Sequence, residues 1–159
     1  NRAESWLNIL AVLRPGVEAV RLAADAIGVA TPAEALRRSR AVHRRLADEI
    51  VPHELAEDAE LYPVLAKALG GTDPTGTMSR AHTEIAHQSR RLGRLLDEIG
   101  SGEPDPDDLI ELRRLLYSLN AILRLHFAQE DESYLSLAEQ PEPDSAVGSL
   151  EALPPAPTR

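Results

Sequence analysis

Apolar residues recur at steps of three and four in four stretches of the chain, the period of a helix that buries one face. In the first, over residues 3–27, Trp6, Leu10, Leu13, Val17, Val20, Ala24 and Ile27 form the stripe, and Gly28 closes it. Pro15-Gly16 interrupts this pattern. A proline inside a helix removes one hydrogen bond and crowds the preceding turn, so a kink or a split is expected there. The second stretch opens on Thr31-Pro32-Ala33-Glu34, an N-cap followed by a first-turn proline and a capping-box glutamate. Its stripe reads Val42, Leu46, Ile50, His53, Glu57 and Leu61. Pro52 predicts a kink just before the histidine, and Tyr62-Pro63 predicts an end or a bend, with Val64 to Leu69 as a short extension.

The Gly-, Thr- and Pro-rich run from Gly70 to Gly76 predicts a loop. Beyond it the third stripe is Met78, His82, Ile85, Ser89, Leu92, Leu96 and Ile99, stopped by Gly100. The fourth begins at Asp105 as cap with Pro106 behind it, and carries Leu112, Leu116, Leu119, Leu123, His126 and Glu130, then Tyr134 or Leu137. Four amphipathic helices joined by short loops pack antiparallel, so the expected fold is all-α, an up-down-up-down four-helix bundle over residues 1–138. Residues 139–159 are rich in Pro, Glu and Ser and are expected to form a disordered tail.

Composition agrees with that fold. A chain of 159 residues makes one domain with a real core, and 43% hydrophobic but only 3% aromatic residues leaves few strand formers. A net charge of -9 argues against nucleic acid or an anionic membrane surface as the principal partner. The absence of cysteine removes disulfides, thiolate ligands, iron-sulfur clusters and cysteine nucleophiles. No apolar run is long enough to span a bilayer, and the expected location is cytoplasmic. The chain opens on Asn1, without methionine and close to an established helical pattern, which gives the expectation of one domain from a longer protein.

The candidate chemistry lies on the stripes. His53 and Glu57, and likewise His126 and Glu130, are one helical turn apart, so each pair can offer an imidazole nitrogen and a carboxylate oxygen to one centre. With 26 acidic residues in 159, an acid follows any histidine at that spacing about one time in six, so spacing alone decides little. Position decides more. In an antiparallel bundle, Glu57 near the end of its helix meets His82 near the start of the next, and His82 meets His126 with a mismatch of about 4.5 Å along the axis. Three inward faces at one height predict a metal site. A buried histidine hydrogen-bonded to a carboxylate gives the same pattern, but two such pairs are costly to bury without a cation.

His43, about 15 Å along the helix from His53, cannot share its metal and reads as a core-edge or surface residue. His87 falls between inward positions and reads as solvent-facing. Glu54 reaches the centre from its flank or is solvated. Glu60 is a candidate to orient a ligand, Asp131 competes with Glu130, and Tyr62 and Tyr134 lie within reach of the rim.

The stretches Pro52-His53-Glu54-Leu55-Ala56-Glu57, Leu61-Tyr62-Pro63, Ala81-His82-Thr83-Glu84 and His126-Phe127-Ala128-Gln129-Glu130 together resemble the hemerythrin-like HHE cation-binding domain. The likeness covers roughly residues 5–138. It implies a non-haem di-iron centre in a four-helix bundle, with His53, His82 and His126 as imidazole ligands and Glu57 and Glu130 bridging the metals. Members of the family bind oxygen, sense oxygen or iron, or handle peroxide and iron. Two departures matter. The chain has no histidine before His43, and the corresponding level of the first helix, between Trp6 and Leu10, is apolar; the extra third-helix histidine of oxygen carriers falls at Ala86. The expectation is therefore a metal-binding protein rather than a turnover enzyme, holding iron in an incomplete site through His53, Glu57, His82, His126, Glu130 and Glu54. Manganese and zinc are alternative metals, and oxygen or peroxide the expected small partners. Other readings are a metal-free bundle acting as an interaction or regulatory module, and a small di-iron or dimanganese oxidase.

Overall fold

A computed structural model describes residues 2–139 of the chain, so the tail expected from residue 139 lies, from residue 140 onward, outside the described residues. The described part is built from four helical rods: α1 (Arg2–Ala26), α2 (residues 32–69), α3 (Gly76–Ile99) and α4 (Pro106–Ala138). Each of α1 and α3 packs against both α2 and α4, closing an up-down bundle. No described helix is long and apolar enough to cross a membrane.

The helix starts follow their local chemistry. Thr31 Oγ1 accepts from the Glu34 amide at 3.2 Å, and Asp105 and Asp108 exchange side-chain and backbone bonds in a full capping box. The stops fall at Gly28 and Gly100, whose φ values of 86° and 58° are open to glycine and disfavoured for other residues. Arg40 of α2 donates to the carbonyls of Leu96, which also accepts from the Gly100 amide, and of Gly100, beyond the last helical hydrogen bond of α3.

Of the outcomes expected at the prolines, the split at Pro15 and the end at Tyr62-Pro63 do not occur. Pro15 does not split α1, which is one helix from Arg2 to Ala26. Pro15 stands on the exposed face while its neighbours Leu13, Val17 and Val20 are buried in the core, so packing on either side carries the helix past the missing hydrogen bond. Nor does α2 end at Tyr62-Pro63. It continues to Leu69 through two widened π turns, Leu46–Ile50 and Glu57–Leu61, each closing one or two residues before a proline. Val51 donates to the Leu46 carbonyl and Tyr62 to the Glu57 carbonyl, five residues back in each case. A proline has no N–H for the carbonyl four residues behind it, and a wider turn keeps that carbonyl clear of the ring.

Each π turn absorbs an extra residue and advances the inward face. On this helix His53 is buried with its neighbour Glu54, and Leu61 with Tyr62. The rest of the core is aliphatic. Leu10, Ile85, Leu92, Leu112, Leu116, Leu119 and Leu123 are fully buried, and each such side chain contributes roughly 1.5–3 kcal/mol. Asn120 Nδ2 donates to the Val17 carbonyl at 2.9 Å across the α1–α4 interface.

Candidate metal centre

The apolar core gives way to polar groups at one end of the bundle. There α2 supplies His53, Glu54 and Glu57, α3 supplies His82, and α4 supplies His126 and Glu130, all buried. One donor atom from each of Glu57, His82, His126 and Glu130 lies within 4.8 Å of the others, a group able to hold a metal ion. His53 stands at the edge of this group, with Nε2 2.9 Å from Glu57 Oε1. His126 Nε2 is 2.9 Å from Glu130 Oε1, and His82 Nε2 is 3.5 Å from Glu57 Oε2 and 3.6 Å from Glu130 Oε1. The His82 and His126 rings meet edge to face at 4.5 Å, so the heights inferred for α3 and α4 coincide.

Phenols and a further carboxylate complete the cluster. Tyr134 donates to Glu57 Oε1 at 2.6 Å and Tyr62 to Glu130 Oε1 at 3.0 Å. Both tyrosines are buried within the cluster itself, deeper than the rim expected of them. His82 Nδ1 lies 3.0 Å from Asp58 Oδ2, and Ser79 Oγ donates to the other Asp58 oxygen at 2.7 Å. Nδ1 donates to Asp58, which leaves Nε2 facing the centre, 3.0 Å from the Tyr62 hydroxyl. Asp58, not Glu60, orients this imidazole; Glu60 is exposed. Asp131 is turned away, paired with Arg14 of α1. His87 is exposed, and His43 fits against Gly93 of α3, where a Cβ would stand 2.6 Å from its Nε2.

The electrostatics fit a cation. Among the described residues no lysine or arginine pairs with Glu54, Glu57 or Glu130. Glu57 Oε2, Glu130 Oε2 and both Glu54 oxygens are buried without a hydrogen-bond partner, and His53 Nε2 and His126 Nε2, though 2.9 Å from Glu57 and Glu130, lack the angles of a hydrogen bond. Buried polar atoms are ordinarily satisfied, so such a convergence is what a site built around an ion shows once the ion is set aside. Burial pushes Glu130 up, but its contacts with His126, His82 and Glu57 outweigh this and hold it below the usual carboxylate range. Burial acts to lower His82, yet Glu130, Glu57 and Asp58 together raise it to about 10. Glu54 lies deeper than a flank position, and burial raises its carboxyl to about 9. Burial, reinforced by Glu130 and Glu57, also raises Tyr62 and Tyr134, which stay neutral donors.

The model of the hemerythrin HHE cation-binding domain matches residues 10–138. The chain belongs to this family. No curated protein and no solved structure matches the chain. As a hemerythrin-like domain it is a metal-binding protein, with its buried His/Glu group at the level where the helical stripes meet. On α1 that level presents Trp6, whose ring centroid is 5.5 Å from that of His53 and tilted 46° to it. The absence of an α1 histidine was legible in the sequence. Asp58 was not: it directly follows Glu57, lies in the π turn Glu57–Leu61 and faces His82 across the α2–α3 interface.

Proposed function

We propose that this hemerythrin-like domain binds non-haem iron in a di-iron type of site, in a sensing, iron-handling or peroxide- and oxygen-related role. Glu57, His82, His126 and Glu130 would hold the better-built metal position, with His53 and Glu54 contributing on the α2 side. The observation that carries the reading is the set of buried nitrogen and carboxylate atoms converging within 4.8 Å, many with no partner. Mixed imidazole and carboxylate donors suit iron, with manganese and zinc as competitors for the same atoms. Bound iron would supply redox chemistry with oxygen or peroxide. The protein's own part is to exclude bulk water, to orient His82 through Asp58, and to hold Glu57 and Glu130 with the Tyr134 and Tyr62 hydroxyls.

A second reading, a metal-free bundle used as an interaction module, draws on Trp6 standing against His53 where the family places a histidine. One experiment separates the two. Protein loaded with ferrous iron and desalted should retain between about one and two irons per chain. Retention below about a tenth of an iron, unchanged in a His82→Ala, His126→Ala double variant, would sink the iron reading.

A further inference from the structure

At the end of the bundle away from the metal centre, an open cleft of about 570 Å³ lies between the first half of α2 and the loop that follows α3. Arg37, Arg40 and Arg44 of α2 line it together with Asp97 of α3 and Ser101 of the loop, while Ala33, Leu36 and Leu96 give it an apolar wall. In a chain with 26 acidic residues against 17 basic ones, three guanidiniums here face one carboxylate. They recur every three or four residues along one helix face, a spacing at which like charges repel. Their present partners leave much of that charge open. Arg37 pairs with Glu34, which also takes Arg38. Arg40 is half-buried and held through Nη2 by the carbonyls of Leu96, at 3.3 Å, and of Gly100, so that Nε and Nη1 are ordered and uncommitted. Arg44 is exposed, and among the described residues neither it nor Arg40 pairs with a carboxylate.

Size and charge define what fits. The volume falls within the roughly 300–1,000 Å³ of sites for small organic molecules. From Arg37 to Arg44 the helix rises about 10 Å, so one anionic group cannot meet all three arginines, whereas two linked groups can. Exposed ion pairs are individually weak, so in an open cleft the charge on each group decides. A phosphate carries about 1.5 to 2 negative charges where a carboxylate carries a single one, and guanidinium forks match its oxygens two at a time. Asp97 repels an anion but accepts from a hydroxyl or amino group, and the apolar wall offers a surface to the rest of an organic body. We propose that this cleft binds a small organic diphosphate, with Arg40 and Arg44 on its phosphates and Asp97 and the Leu36–Leu96 wall on its body. Arg40 precedes His53 by about 20 Å of helix, so the site stands apart from the metal centre and does not rest on the metal-binding reading.

Calorimetric titration of the full chain with adenosine diphosphate tests it, with inorganic pyrophosphate and citrate as comparisons. One adenosine diphosphate should bind per chain, and NMR shifts should centre on the Ser101 and Gly102 amides and the Leu36 and Leu96 methyls. Arg44→Gln and Arg40→Gln should each weaken binding about tenfold or more. Arg44 is exposed and unpaired among the described residues, so its variant remains informative if Arg40→Gln, which loses the contacts to the end of α3, does not fold. Arg80→Gln, exposed on α3 at the metal end, should bind as the unmodified chain does. No saturable binding at millimolar adenosine diphosphate, or an equal loss in Arg80→Gln, overturns the site. Pyrophosphate binding as tightly as the nucleotide overturns the role of Asp97 and the apolar wall, and citrate doing so overturns the choice of phosphate. Binding that vanishes once metal is stripped and the chelator removed also overturns the proposal, because the nucleotide then sits on the metal.

Discussion

His82 of α3 faces the centre with Nε2 because its Nδ1 is held 3.0 Å from Asp58 on α2. This contact crosses between helices and sets the ring orientation of an imidazole that faces the buried His/Glu group. Loss of such a partner commonly weakens a metal site about 10–100-fold without abolishing it. Asp58→Ala should therefore raise the metal dissociation constant by about that factor, measured by competition with a chromophoric chelator. Ser79→Ala, which removes only the 2.7 Å bond to the other Asp58 oxygen, should have a smaller effect in the same direction.

His53 and His126 are not equivalent, although their sequence pairs are. His126 belongs to the group within 4.8 Å, whereas His53 touches it only through Glu57. Removing His126 or Glu130 should eliminate tight binding. His53→Ala should leave one tightly held metal per chain, with any second and weaker metal lost, as read by titration with elemental analysis.

Trp6, the single tryptophan of the chain, lies against His53. Iron at the centre should quench its fluorescence in proportion to loading, giving a direct binding signal. Trp6→His would place an imidazole on α1 at this level and should tighten the weaker metal position. Trp6 is a better choice than Leu10, which is fully buried among aliphatic neighbours.

Donors from three helices meet only in the folded state, so binding energy is folding energy. At a free-metal concentration about 100 times the dissociation constant, loading adds about 2.7 kcal/mol, on the order of 10 °C in Tm for a domain of this size. Chelation should remove that increment. His43→Ala and His87→Ala should retain it, since neither residue belongs to the cluster.

Glu54 gives the metal-free protein a pH dependence of definite sign. Its carboxyl rises from an ordinary 4.5 to about 9 in the fold, chiefly through burial. Below pH 4.5 it is protonated in both folded and unfolded chains and contributes nothing. Above that the unfolded chain ionises first, so stability falls as pH rises toward 9, by on the order of 3 kcal/mol at pH 7. Glu54→Gln should flatten this slope and raise metal-free stability at neutral pH, as read from urea unfolding of chelated protein at several pH values.

The periodic stripes, the Thr31 and Asp105 caps and the Gly28 and Gly100 stops were enough to specify the bundle, because each acts through neighbours within one or two turns. The stripes also put His53, Glu57, His82, His126 and Glu130 on inward faces, and short loops fixed their heights to within a turn. The tertiary structure decided what periodicity cannot carry. Packing on both sides of Pro15 kept α1 whole, and π turns before Pro52 and Pro63 let α2 continue to Leu69. Packing of α2 against its neighbours buries Glu54 beside His53 and sets Asp58 against His82. A pattern read at 3.6 residues per turn places Glu54 at the flank and leaves Asp58 without a role, because which neighbouring helix a flank residue meets is set by packing that no spacing of side chains records.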